Sequence, residues 1–364
     1  MKTGAGHYSG AKSIYEKLKI MDPEAELLLC DGLENCLSFF NLFLETGYSI
    51  TSNRFMLSFV LFYHSTNLKF VQKFLYWLLS PFLSIHIRRK IRTEKFTKII
   101  CTHQILTPIL SRVCKELKLD IPIFLVVMDP FSMHSLWFSE RDVKLIVLSS
   151  YAKKVAIERH KFPKEKVFEA TPIFSEKFNT VLSKPEVNKV KTNLGISLEK
   201  KVLLIAGGGE GLASANKILK VFLKNNFNDQ IIIVCGKNKN LKKKLEKTVK
   251  KYGAKNVLVL GFVNIMYELI NIADCVISKG GPGTIMEVLA TKKTLIVSSF
   301  IRYQEYGNLF FVEQNKAGWY IPQAKQIYKK VVELFSGKLN PKTKDIKIEN
   351  GLDKITKFVQ TKNS

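Results

Sequence analysis

The chain has 364 residues, of which 46% are hydrophobic, and this excludes a short peptide, a fibre and a disordered chain and predicts about two domains. Its 57 basic and 31 acidic residues give a formal net charge of +26, which suggests a polyanionic partner. Only eight of the basic residues are arginine, and lysine is poorly suited to planar, bidentate recognition of bases. We therefore expect no nucleic-acid partner.

The cysteines and the start of the sequence bear on the compartment. The six cysteines are scattered without a CxxC pair, so we expect neither a zinc site nor a disulfide framework. Met1 is followed by glycines and His7 instead of an apolar stretch, so we expect no secretory signal. Both features favour a cytoplasmic protein.

Residues 33–97 are rich in Phe, Leu and Tyr, and they end in the basic run Arg88, Arg89, Lys90, Ile91 and Arg92. The segment could form buried helices that cap a sheet, or its apolar face, with Trp77, could dock on an anionic membrane surface beside the basic run. Its most apolar stretch, 74–87, is shorter than the ~20 residues of a spanning helix. We expect it to lie on a bilayer without crossing it.

From residue 98 onward, short apolar runs alternate with amphipathic stretches. The first half has predicted strands at 99–102, 123–128 and 145–149 and predicted helices at 105–117 and 152–160. The second half repeats the pattern with predicted strands at 202–206, 231–235, 257–260, 275–278 and 294–298. This alternation predicts an α/β fold with two doubly wound, Rossmann-like domains, each built on a parallel sheet.

Domain boundaries follow from breaks in this pattern. We predict an amino-terminal domain at 1–172, a linker without strong periodicity at 173–200, and a carboxy-terminal domain at 201–345. The last segment, 346–364, contains a helical pattern that could pack back on the first domain.

Four turns rich in glycine or polar residues lie at the ends of predicted strands, where open α/β sheets bind ligands. They span residues 4–7, 207–211, 279–287 and 302–308. Glycines let the backbone approach a phosphate, and the N–H groups at the start of a helix suit an anion. A single turn of this kind is usually only a tight connection, but four in this order favour a nucleotide site.

These turns belong to an ordered set of motifs. The first half carries GxGH, Met128-Asp129-x5-His134-x2-Trp137 and Ser149-Ser-Tyr-Ala-Lys153. The second half carries GGGEG, Gly261-Phe-Val263, SKGGPGT-x2-E and QE-x2-GN. The set resembles the family 28 glycosyltransferases of the GT-B fold, in which two Rossmann-like domains face a cleft. It is most similar to the monogalactosyldiacylglycerol synthases and the processive diacylglycerol β-glucosyltransferases.

The resemblance implies an inverting transfer of a hexose from a UDP-sugar, UDP-glucose or UDP-galactose, to a diacylglycerol-type lipid. The implied UDP-sugar residues are Gly208, Gly209, Glu210, Phe262, Val263, Lys279, Gly280, Gly281, Gly283, Thr284, Glu287, Gln304, Glu305 and Asn308. Among them, Phe262 would lie beside the uracil and Glu287 at the ribose. Gln304 and Glu305 would hold the sugar.

The first domain would hold the acceptor. The resemblance places Gly4, Gly6, His134 and Trp137 on the acceptor side. It also implies that His7 or, as the second choice, Asp129 removes the proton of the attacking hydroxyl. No cofactor or metal is expected, because helix ends and lysines can neutralise the leaving diphosphate.

Two positions depart from the family pattern. Members usually have an apolar strand directly before the first glycine turn, whereas only three residues precede Gly4 here. We expect the first strand of the amino-terminal domain to be missing, because the true start lies upstream or the chain is a fragment. Thr171-Pro172 also stands where the family usually has Gly-Pro or Gly-Ile-Pro.

Three functions therefore compete. The leading expectation is a glycolipid synthase, peripheral on the inner face of the cell membrane. The alternatives are a lipid II-type UDP-N-acetylglucosamine transferase and a catalytically inactive sugar-nucleotide-binding protein. The aromatic segment 33–97 and the motif at 128–137 favour the diacylglycerol-type acceptor.

Overall fold

A computed structural model describes residues 5–32, 63–339 and 341–361. The chain divides into two compact units. The first takes its described residues from 1–174, 302–304 and 350–364, and the second from 175–301 and 305–349. The expected missing strand and residues 33–62 of the aromatic segment lie outside the described residues.

The first unit is built on a parallel sheet. Its strands are β1 (Ile99–Cys101), β2 (Ile123–Val126), β3 (Lys144–Val147) and β4 (Val167–Glu169), in the order β1-β2-β3-β4. Its helices are α1 (Ala5–Met21), α2 (Lys69–Glu94), α3 (Leu106–Glu116), α4 (Ser150–Lys154) and the last helix of the chain, α12 (Leu352–Thr361). A π-helical turn, Val155–Arg159, continues α4.

Helices cover both faces of this sheet because side chains alternate along each strand. Leu125 and Val147 pack on one side in a core that includes Leu83 of α2. Phe124 and Ile146 pack on the other side in a core that is completed by α1 and α12. Strands that are buried on both faces read as continuous apolar runs, and this is why the sequence marks them clearly.

The end of the chain packs on the first unit. The Gly351 N–H donates to the Pro172 carbonyl at 3.0 Å, which fixes the start of α12. The ammonium of Lys17 in α1 lies 2.6 Å from the carboxylate of Asp353. The ammonium of Lys98 donates to the carbonyl of Val359 at 2.8 Å near the other end of the helix.

The second unit has a larger parallel sheet. Its strands are β5 (Val202–Ala206), β6 (Gln230–Val234), β7 (Val257–Leu260), β8 (Cys275–Lys279), β9 (Thr294–Ser299) and β10 (Gly318–Tyr320). Its helices are α5 (Lys184–Asn193), α6 (Ala215–Lys224), α7 (Lys239–Tyr252), α8 (Met266–Ile272), α9 (Pro282–Ala290), α10 (Tyr306–Gln314) and α11 (Ala324–Phe335). The strand order is β10-β9-β8-β5-β6-β7.

The segment predicted as a linker, 173–200, has regular structure of its own. It contains α5, whose first turn is closed by a capping box between Ser183 and Glu186. The Ser183 N–H donates to the Glu186 carboxylate at 2.7 Å. All but its first two residues group with the second unit, so the division lies close to residue 174.

Candidate functional site

The second sheet has a topological switch point between β5 and β8. From β5 the chain runs outward through β6 and β7, and from β8 it runs outward the other way through β9 and β10. Helices that follow two such strands leave on opposite faces, which opens a crevice at the carboxyl ends of the strands. Both glycine-rich turns of this half, after β5 and after β8, lie at that point.

The turn after β5 needs glycine for steric reasons. Gly236, which follows β6, has a φ of +58°, and a Cβ there would lie 2.1 Å from the Gly209 carbonyl oxygen. The Lys237 N–H donates to the same oxygen at 2.8 Å. The backbone after β6 thus packs directly against the turn at 207–211. The two segments are so close that a side chain at Gly236 would not fit between them.

Lys279 brings three loops together. Its ammonium lies 3.3 Å from Glu305 Oε1, and the Glu305 side chain is only 6% exposed against 36% for Lys279. A Cβ on Gly281 would lie 3.5 Å from Lys279 Cε, and one on Gly208 would lie 3.8 Å from it. The lysine therefore lies beside both glycine turns with part of its charge open to solvent.

Glu305 is held by its own loop as well. Its Oε2 accepts from the Ile301 N–H at 2.8 Å, so the carboxylate closes the loop after β9 while its other oxygen faces Lys279. Gln304, its neighbour in the sequence, groups with the first unit.

Asn308 connects the same loop to the turn after β8. Its amide donates to the Gly280 carbonyl at 2.8 Å. Its buried Oδ1 has no hydrogen-bond partner among the residues that the structure describes, which leaves an acceptor for a ligand hydroxyl. Next to it α9 begins at Pro282, with no side chain capping its first turn, so the N–H groups of Gly283 and Thr284 are available to an anion.

Glu287 lies one turn into α9 and is half-buried. Burial raises the pKa of its carboxyl group to about 7. Within 5–32, 63–339 and 341–361 no donor pairs with this carboxylate. A ligand hydroxyl that donated to it would therefore stabilise its ionised form.

Two predicted donor residues lie further along the edge of the sheet. Phe262 follows β7 and is 64% exposed, and Val263 beside it is half-buried. Glu210, in the turn after β5, is exposed. These residues share the carboxyl edge of the sheet with Lys279, but no side-chain contact between them and Lys279 is present in the described part of the chain.

In the first unit, His7 lies in the first turn of α1. Its Nδ1 lies 2.7 Å from the Thr102 carbonyl oxygen, and the Thr102 hydroxyl donates back to the His7 carbonyl at 3.1 Å. A carbonyl only accepts, so Nδ1 carries the proton and the lone pair of the neutral ring is on Nε2. Burial lowers the pKa of the imidazole to about 4, and the bond to Thr102 opposes this.

Two aromatic rings lie against His7, and one of them is bonded to Asp129. The ring centroid of His103 lies 4.8 Å from that of His7, and the centroid of Trp137 lies 5.8 Å away. The indole N–H of Trp137 donates to Asp129 Oδ2 at 2.9 Å, and both residues are buried. The structure thus brings together His7, Asp129 and Trp137.

His134 has a different environment. It caps a 3₁₀ turn, Ser135–Phe138, by accepting the Leu136 N–H on Nδ1 at 3.1 Å. Its Nε2 lies 3.0 Å from the Tyr63 carbonyl, so both ring nitrogens bond to the protein. Gly6 is exposed beside His7, and Gly4 lies outside the described residues.

The sequence analysis did not assign His103 to the site. The available signal was its position, because His103 lies two residues after the end of β1 and Asp129 lies three residues after the end of β2. Burial and the nearby His7 lower the pKa of His103 far below its ordinary value, so it is neutral beside His7.

Helix α2 presents an apolar strip to solvent. Phe74 is 59%, Trp77 70% and Ile85 71% exposed, at spacings that place them on one face. One helical turn further, Arg88, Arg89 and Arg92 line an open groove together with Ser84, Ile85 and Thr93. Arg88 is paired with Glu116 of α3. No helix in the described ranges is long and apolar enough to cross a membrane.

The two halves of the chain match two described families. Residues 7–170 match the monogalactosyldiacylglycerol (MGDG) synthase family, and residues 202–359 match the glycosyltransferase family 28 C-terminal domain. Each half of the chain is thus similar to one of these glycosyltransferase families. The first match includes His7, Asp129 and Trp137, and the second includes both glycine turns at the switch point.

Curated relatives include monogalactosyldiacylglycerol synthases and a diacylglycerol glucosyltransferase. The chain is 28% identical to a probable monogalactosyldiacylglycerol synthase 3 of Oryza sativa, over 92% of this chain and 66% of that one. It is 31% identical to a processive diacylglycerol beta-glucosyltransferase of Bacillus licheniformis, over 62% of this chain and 58% of that one. It spans 54% of the spinach monogalactosyldiacylglycerol synthase, to which it is 28% identical.

Solved structures support the fold. MurG of Acinetobacter baumannii matches with a TM-score of 0.52 and 14% identity, over 77% of this chain and 78% of that one. Anabaena HepE in complex with UDP-glucose matches with a TM-score of 0.52 and 14% identity, over 77% of this chain and 79% of that one. At this identity the likeness extends to the GT-B fold alone.

The Gly236 contact gives a testable prediction for the family 28 half. We expect Gly236→Ala to lower the free energy of unfolding by at least about 3 kcal/mol, because the new Cβ overlaps the Gly209 backbone in addition to straining φ. Gly253→Ala is the matched control, since it has a φ of +59° and nothing within 4 Å of a Cβ. It should cost only about 1 kcal/mol in urea unfolding. Equal losses would contradict the steric role of Gly236.

Proposed function

We propose that the protein is a UDP-sugar-dependent hexosyltransferase that glycosylates a diacylglycerol-type lipid with inversion at the anomeric carbon. The observation that carries the proposal is the His7 imidazole, whose Nδ1 is bonded to the Thr102 carbonyl so that Nε2 holds the lone pair. The matches of the two halves to MGDG synthase and to the family 28 domain support the lipid acceptor and the sugar donor.

The donor binds at the switch point of the second sheet. The N–H groups at the start of α9 and the Lys279 ammonium face the diphosphate and stabilise the negative charge that develops on it. Glu287 accepts ribose hydroxyls, and Glu305 and Gln304 hold the hexose. Phe262 and Val263 contact the uracil. With these groups in place the leaving UDP needs no metal ion.

The transfer is a single displacement. His7 Nε2 takes the proton of the lipid hydroxyl while that oxygen forms a bond to the anomeric carbon. The bond from the anomeric carbon to the β-phosphate oxygen breaks, and UDP leaves with the electron pair. The sugar arrives on the face opposite the leaving group, so the product is a β-glycolipid, and His7 then returns its proton to solvent.

Helix α2 brings the enzyme to its acceptor. Its exposed strip enters the interface of an anionic membrane, and Arg89 and Arg92 lie at the depth of the phosphate groups. The protein is then peripheral on the inner face of the cell membrane.

Turnover on diacylglycerol liposomes tests the reaction. We expect lipid-dependent release of UDP from UDP-glucose or UDP-galactose, and we expect His7→Gln to lower kcat about 10²–10⁴-fold because the base is lost. His160→Gln is the control, because this histidine of the same unit stacks on Phe138 away from His7. Turnover only with UDP-N-acetylglucosamine and lipid II would favour the alternative transferase, and binding of UDP-sugars without turnover would refute the enzymatic proposal.

The raised pKa of Glu287 gives a pH dependence. The folded protein favours the protonated carboxyl up to about pH 7, whereas ribose hydroxyls favour the carboxylate, so binding must release a proton below that pH. The affinity for UDP-glucose should rise about tenfold from pH 6 to pH 8 in calorimetry. Glu287→Gln should remove this rise, and Glu313→Gln, an exposed carboxyl on α10, should keep it. A flat wild-type profile would exclude Glu287 from the ribose site.

Liposome flotation tests the membrane face. Phe74→Ser with Trp77→Ser should weaken binding to all liposomes at least about tenfold, because two exposed aromatic rings no longer enter the interface. Arg89→Glu with Arg92→Glu should weaken binding to anionic liposomes only, and salt should reduce the difference. Leu198→Ser, an exposed apolar residue of the second unit, is the control. Unchanged binding in both double variants would rule out α2 as the contact.

A further inference from the structure

Asp129 is the hydrogen-bond acceptor of a buried tryptophan. Its Oδ2 accepts the indole N–H of Trp137 at 2.9 Å, and the residue is only 8% exposed. A carboxylate that serves as the acceptor for a buried indole is held in place by that bond and polarises the indole ring.

The polarised ring lies next to the proposed base. The centroids of Trp137 and His7 are 5.8 Å apart with the rings tilted by 34°, a distance at which the π electrons of one ring act on a charge in the other. Trp137 is fully buried, so no water screens this contact from its side. His103 lies on His7 as well, with ring centroids 4.8 Å apart.

The other polar groups near His7 act on its charge in opposite directions. His103 accepts the Ile105 N–H on Nδ1, and a second cation there would oppose the first. The Thr102 carbonyl accepts from Nδ1–H, and this bond raises the pKa of His7. Tyr63 faces Asp129, and burial together with the charge of Asp129 raises the pKa of its phenol.

We propose that Asp129 acts through Trp137 to stabilise the His7 imidazolium that forms during transfer. This inference rests on the proposed function, because the imidazolium arises when Nε2 takes the proton of the acceptor hydroxyl. The hydroxyl oxygen forms its bond to the anomeric carbon as the bond to UDP breaks. The positive charge on His7 is then stabilised by the π electrons of Trp137, which the bonded carboxylate of Asp129 enriches. Asp129 is a positioning residue and takes no proton itself.

The first measurement is the pKa of His7 itself. It is obtained by an NMR titration of the full chain labelled at histidine Cε1, and the His7→Gln variant identifies the His7 signal. Asp129→Asn keeps an oxygen for the indole N–H but removes the charge, so the pKa of His7 should fall by about 0.5–1. Glu140→Gln, a carboxyl removed on the same loop, should leave it unchanged. This readout does not require turnover, so it tests the coupling even if the proposed reaction fails.

A second variant avoids any change of shape. Incorporation of 5-fluorotryptophan lowers the electron density of the indole ring and should also lower the pKa of His7. In Trp137→Phe protein the same incorporation, now limited to the other two tryptophans, should have no effect on His7. This pair of measurements distinguishes the ring electrons of Trp137 from its packing.

Kinetics complete the test. Asp129→Asn should lower kcat about 3- to 10-fold, with KM for both substrates unchanged and the acidic limb of the pH profile shifted in parallel with the pKa of His7. A loss as large as that of His7→Gln with an unchanged His7 pKa would make Asp129 the base and overturn the proposal. An unchanged His7 pKa in the Asp129→Asn and the fluorotryptophan proteins would overturn it as well.

Discussion

The parallel pairing of β5 with β8 is the contact on which the donor site depends. Leu203 pairs with Cys275 and Ile205 with Ile277, so the two strands end together at one edge of the sheet. Because the chain runs outward in opposite directions from these strands, the turns that follow them meet without a helix between them. The position of Lys279 beside both Gly208 and Gly281 is a direct consequence.

Burial sets the protonation of one proposed functional group in each unit. Burial keeps the proposed base, His7, neutral at physiological pH, and it keeps the carboxyl of Glu287 near the midpoint of its titration. The net charge of +26 contributes less than these local arrangements, because most lysines are exposed and screened. In the proposed membrane contact, the arginines of α2 contribute because they lie next to an exposed apolar strip.

Continuous apolar runs made most of the sheets predictable. The predicted strands 202–206 and 257–260 match β5 and β7 in both bounds, since each is a run of branched apolar residues closed by glycine. The three-residue strands β4 and β10 escaped prediction because β4 ends in a glutamate and β10 begins with a glycine, whereas β1, of the same length, is apolar throughout. The resemblance to family 28 glycosyltransferases and the GT-B fold were also predictable from the motifs, and the matches to known families and structures confirm both.

The sequence by itself determined the fold class, the family and the residue types of the site, because glycine turns, strand runs and motif order are local properties of the chain. Only the tertiary structure decided which side chains meet. Asp129 and Trp137 are eight residues apart, but the contact between Trp137 and His7 joins α1 to a segment far along the chain. The use of both His134 nitrogens, one by the Tyr63 carbonyl 71 residues away, likewise depends on packing between distant segments. Local patterns carry no information about such contacts.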